Sequence, residues 1–188
     1  MKYGITRQEA LDLIRKHLSN GNLVNHCLAS EAVMSALAER CEEDPDKWGL
    51  AGLLHDLDAE SQTGLDTHTK ETVQILSEKG VDAEIIEAIR LHNLEAYPGE
   101  SRTTRLQHAL AAGETITGLI VAAALVNPAK SLAAVKPKSV KKRFKEKAFA
   151  RGANRETIAE CENLGIPVPE FCELSLAAMQ KIAGEIGL

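Results

Sequence analysis

Aromatic residues make up only 3% of this 188-residue chain, and no stretch alternates apolar and polar side chains with a period of two. That disfavours a sheet-based fold, because strands draw on aromatic and β-branched residues. No CxxC pair occurs: Cys27, Cys41, Cys161 and Cys172 are scattered, and read as reduced thiols, several of them buried, in a cytosolic protein. Positive charge is not in excess either. A formal net charge of -5 argues against a general nucleic-acid binder. The longest apolar run, Leu110 to Val126, contains Glu114 and two glycines, and falls short of the ~20 apolar residues of a membrane span. Residues 1–20 form a polar amphipathic segment rather than a signal peptide, so the cytoplasm is the expected compartment, with no membrane partner.

What is present favours helices. Hydrophobic residues are 44% of the chain, and Leu, Ala and Ile carry most of that share. The length suits one domain with a sizeable core. Thr6 to Glu9 has the spacing of a capping box, with Ala10, Leu11, Ile14 and Leu18 following at helical intervals, and Gly21 is expected to close that helix. A second helix is expected from about Asn22 to Arg40, and Asp44-Pro45 starts a third. Thr67 to Glu71 is expected to open a fourth, with His68 in its first turn, and Asp82 to cap a fifth, ending at His92. The segment from Thr103 to Leu125 reads as one long helix. A basic cluster, Lys136 to Lys147, reads as a helix capped by Ser139, and the final helix is expected to begin at Pro169. The expectation is an all-α fold, a single compact domain of eight or nine helices.

Several of these helices bring a metal-ligand type to a polar junction. The apolar run from Trp48 to Leu54 ends in His55-Asp56, an imidazole beside a carboxylate. Neighbouring residues on a helix point about 100° apart, so the two can reach one ion only near a helix end. His26 lies on or beside the apolar stripe of the second helix, and His92 repeats the placement of His55. Glu114 is the only ionisable group between Leu110 and Val126. Burying such a carboxylate costs several kcal/mol unless it is paired or bound to metal. His108 lies roughly 120° round the helix from Glu114, and reads as a surface residue.

The order His26, His55-Asp56, Glu114 resembles the H…HD…D signature of the HD-domain metal-dependent phosphohydrolases, and with His68 and His92 it resembles their two-metal branch. The stretch Ala112 to Ile120 is similar to the region around the last ligand in bacterial members of unknown substrate, and the basic segment Lys136–Lys147 is similar to the segment C-terminal to that region. The likeness covers about residues 20–125, implying a metal-binding core there and a helical extension over about 126–188. It implies that His26, His55, Asp56 and Glu114 hold a first divalent ion. Asp56 would bridge to a second, held also by His68 and His92. Iron, manganese, cobalt, nickel and zinc all suit such ligands. The implied activity is hydrolysis of a phosphate mono- or diester of a small molecule, a nucleotide or similar, by metal-activated water. Asp56 and Asp58 are the catalytic candidates, Asp58 as a group orienting that water or a ligating histidine, and Lys70 and Arg105 are candidates for contacting substrate phosphate. Two positions depart from the pattern: Glu114 stands where Asp is usual, and Asn93 where two-metal relatives often carry a second histidine. Both departures also fit an alternative, a catalytically weak module that binds a nucleotide or a protein partner.

Overall fold

The structure is a computed structural model, and it describes residues 2–62 and 64–188. Among the described residues there are no strands; ten α-helices follow one another. They are α1 (Arg7–His17), α2 (Gly21–Arg40), α3 (Pro45–Leu54), α4 (Lys70–Glu78), α5 (Ala83–His92), α6 (Arg105–Leu125), α7 (Pro137–Lys145), α8 (Arg155–Ala159), α9 (Val168–Lys181) and α10 (Ala183–Ile186). Short 3-10 turns lie at Leu94–Ala96, Leu132–Ala134 and Glu160–Leu164. The fold class read from composition and periodicity holds, with one or two more helices than expected because the last turns of the chain form a separate α10.

Helix α3 is the centre. Every residue from Trp48 to Leu54 is buried, so it is apolar all round, as a core helix is. Asp44 caps it, accepting hydrogen bonds from the Asp46 and Lys47 amides, with Pro45 preset at the first position. Helix α2 packs most extensively against it, and α6 packs on α2 and also touches α3. The α2–α3 approach depends on glycine. A Cβ at Gly52 would lie 2.6 Å from the carbonyl oxygen of Ser30 and 2.9 Å from the amide nitrogen of Glu31, a collision with backbone that no rotamer change relieves. At Gly49, one turn earlier, it would lie 2.6 Å from the Ser35 hydroxyl.

Helix α6 runs from a capping box, Thr104 with Gln107, to Leu125. By length and composition it could cross a membrane, a reading that the broken apolar run argues against; 61% of its most apolar window is buried inside the fold. Helices α8 and α9 and the turn Glu160–Leu164 pack on α6, and the apolar cluster runs without interruption from Ile5 to Ile186.

Several boundaries differ from those expected. Gly21 opens α2 instead of closing α1, because the Asn20 side chain accepts from the Asn22 amide and caps the next helix. Helix α7 starts at Pro137, where the fixed φ of proline favours the first helical position, so Ser139 lies inside it and is not its cap. Helix α9 starts one residue earlier than Pro169, with Pro167 as its N-cap. His68 precedes α4 rather than sitting in its first turn, because Thr69 takes a left-handed conformation with φ 86° and breaks the helix there. All four cysteines are buried and unpaired.

Replacing Gly52 by alanine is expected to push α2 and α3 apart and to destabilise the fold by about 1–3 kcal/mol. Urea denaturation measures this; a loss under about 0.5 kcal/mol would show that the close approach is not required.

Candidate metal centre

Four histidines converge on Asp56, brought there by different helices. His26 comes from the first turns of α2; His55 is the residue at which α3 ends, and Asp56 comes next in the turn. His68 projects from the segment before α4, and His92 is the last residue of α5. The end of α3 at Leu54 is what lets adjacent residues 55 and 56 face one centre: His55 Nε2 is 3.5 Å from Asp56 Oδ1. The same oxygen is 3.1 Å from His68 Nε2 and 3.6 Å from His92 Nε2, while Asp56 Oδ2 is 3.7 Å from His26 Nε2. Two groups of donors result, His26/His55/Asp56 and Asp56/His68/His92, each spaced closely enough for one ion, and Asp56 belongs to both.

The outer ring nitrogens decide what the inner ones present. His55 Nδ1 lies 2.8 Å from the Gly52 carbonyl and His92 Nδ1 2.7 Å from that of Ile89. A carbonyl only accepts, so each Nδ1 carries the hydrogen and each Nε2 of the neutral ring keeps a lone pair. Thr117 donates its hydroxyl to the Glu114 carbonyl and accepts from His26 Nδ1 at 2.9 Å, which gives His26 the same tautomer. With the hydrogens on Nδ1, the Nε2 atoms of His26 and His55 face each other across 3.1 Å, an approach that a cation between them would favour. The donor set thus fits a divalent metal, with outer partners of the kind that fix ligating histidines.

Electrostatics agree. Burial lowers the pKa of His55 to about 3, which leaves its lone pair free at neutral pH. Burial works against the charge of Asp56, but the surrounding imidazoles outweigh it and hold its carboxylate well below the usual range. Burial also opposes a charge on His68, yet hydrogen bonds to Asp56 and Asp58 raise its pKa to about 10 in the metal-free protein.

The other candidates stand at varying distances from this centre. Asp58 is fully buried; Oδ1 accepts from His68 Nδ1 at 2.8 Å and Oδ2 from the Thr69 amide, also at 2.8 Å. It is turned towards the outer face of His68, where it orients the ring and not a water molecule in the centre. Glu114 stands at the edge, with Oε2 3.8 Å from His26 Nε2; it belongs to neither donor group, and burial raises its pKa. Lys70 is exposed at the first position of α4, two residues from His68. Arg105 is not beside the centre: it pairs with Glu43 at 2.7 Å, and α6 rises about 13 Å between it and Glu114. His108 is not a free surface residue, because its Nδ1 lies 2.7 Å from Glu160 Oε2.

Sequence reasoning missed the residues that hold the ligands in place. Asn93 donates to the carbonyls of Leu65 and His68, tying the His68 segment to the end of α5. Arg102 donates to the Leu91 and His92 carbonyls. Helix-end position was the available signal for Asn93; nothing in the spacing marks Arg102.

The fold and centre together define an all-α protein with a histidine–aspartate cluster able to hold divalent metal. A family model described as HD domain matches residues 23–125, more than half of the chain, and the chain belongs to that family. HD domains bind divalent metals and are generally metal-dependent hydrolases. No solved structure matches the chain.

Because His68 carries a proton at neutral pH in the metal-free protein, an ion entering its group must displace that proton. Affinity for that ion is expected to rise about tenfold per pH unit from pH 7 to 9 and to level off near the His68 pKa of about 10. Manganese titrations at pH 7 and 8 check this, and equal affinities would overturn it.

Proposed function

We propose that the protein is a metal-dependent phosphohydrolase that cleaves a phosphate mono- or diester of a small molecule, such as a nucleotide. The observation that carries this reading is the inward turn of the Nε2 atoms around one shared carboxylate, each histidine being held from behind by a carbonyl, a hydroxyl or a carboxylate. Divalent ions, when bound, activate water and neutralise charge on a phosphoryl group. The chain's own part is to hold the donors. His26, His55 and Asp56 serve one ion, with Glu114 at its edge, and Asp56, His68 and His92 a second. Asp58 holds the His68 ring, and Lys70, exposed two residues from His68, is the candidate for contacting a substrate phosphate.

Two clefts flank the cluster. One of about 560 Å³ is lined by His26, Thr117, Val121 and Leu125, and a more open one of about 300 Å³ by His68, Leu65 and Gln62. Both sizes suit a small ligand. The side chains of His26 and His68 are more exposed than those of His55 and His92, so substrate would approach from the side where the clefts open. Four unpaired buried thiols favour a reducing compartment, and the cytoplasm is part of this proposal.

The wild-type protein is expected to hold about two equivalents of metal, and to hydrolyse p-nitrophenyl phosphate or its bis ester in a chelator-sensitive way. Asp56→Asn is expected to lose most of both, with activity falling by about 10²-fold or more. No metal after reconstitution, or unchanged turnover in Asp56→Asn, would overturn the proposal.

A further inference from the structure

The turn Glu160–Leu164 lies outside the matched HD region, yet it reaches the metal cluster through one buried arginine. Arg102 belongs to the segment between α5 and α6, and its side chain is 7% exposed. Its Nε donates to the Leu91 carbonyl at 2.8 Å and its Nη2 to the His92 carbonyl at 2.7 Å. These are two of the carbonyls that the end of a helix leaves without intrahelical partners. The third contact, Nη1 to Glu160 Oε1 at 2.5 Å, supplies the countercharge that a buried guanidinium needs. Glu160 is itself held on its other side, where Oε2 meets His108 Nδ1 at 2.7 Å.

We infer that Glu160, acting through Arg102, is a positioning residue for His92, and so sets the affinity of the ion held by Asp56, His68 and His92. The inference rests on the reading that those three residues hold a second ion. Two constraints act on His92: the Ile89 carbonyl fixes its ring, and Arg102 fixes the backbone on which the ring is mounted. Removing the Glu160 charge leaves the guanidinium buried without a countercharge. Arg102 then turns to solvent, the last turn of α5 frays, and Nε2 of His92 leaves its place 3.6 Å from Asp56 Oδ1. The first group is insulated from this. Its histidines come from α2 and α3, which are joined by the Gly52–Ser30 contact and not by Arg102.

The test is a manganese titration of the metal-stripped full-length protein, monitored by electron paramagnetic resonance, for wild type, Glu160→Gln and Arg102→Lys. Wild type is expected to bind two ions and to show the spin coupling of a close pair. Both variants are expected to keep the first ion at wild-type affinity, to bind the second about 10–100-fold more weakly, and to lose the coupled signal at limiting manganese. Glu160→Gln preserves shape, and Arg102→Lys preserves charge but can reach only part of the carbonyl pair, so the two report separately on charge and geometry. If both variants bind two ions as wild type does, the inference fails while the two-ion reading stands. Equal weakening at both sites, with a lowered melting temperature, assigns the contact to stability alone and also overturns it. If wild type binds fewer than two ions, the two-ion reading fails, and the inference with it.

Discussion

At Gly52 the backbone of α3 lies so close to the Ser30 carbonyl that even a methyl group cannot be inserted. That contact fixes how near α2 comes to α3, and hence how near His26 comes to His55, whose Nε2 atoms are 3.1 Å apart. A wider separation would leave the two histidines too far apart to share one ion. The core is built for the approach: α3 is buried on every side, and the small residues Gly49 and Gly52 sit where α2 crosses it.

Around the cluster, one chemical task is met by unlike means. Four imidazoles must each turn Nε2 towards Asp56. His55 and His92 achieve this with the carbonyl three residues earlier, a partner available because each stands at or next to the end of its own helix. His26 relies on Thr117 of α6, and His68 on the carboxylate of Asp58. The difference has an electrostatic consequence: the carboxylates beside His68 raise its pKa, whereas the desolvated His55 is lowered. The two donor groups therefore differ in their competition with protons, though they share the carboxylate of Asp56.

The two departures from the HD pattern play different parts. Glu114, longer than the usual Asp by one methylene, stands at the margin of the first group, 3.8 Å from His26 Nε2. Asn93 braces the His68 segment through two backbone carbonyls, so a position that lacks a donor still contributes to the placement of one. The resemblance drew attention to both residues and indicated neither arrangement.

Sequence alone determined the helical class and pointed to the four histidines and the aspartate that the fold brings together. Low aromatic content, the 3.6-residue periodicity and the caps at Thr6, Asp44 and Asp82 are local properties, so they are legible without a structure. His55-Asp56 and His92 were legible for the same reason, as polar residues closing apolar helices. The tertiary structure decided which cations and carboxylates face the centre. Arg105 and His108 turned to Glu43 and Glu160, 62 and 52 residues away in sequence, and Arg102 found the end of α5. Such pairings depend on how helices pack across long stretches of chain, and no spacing rule encodes them.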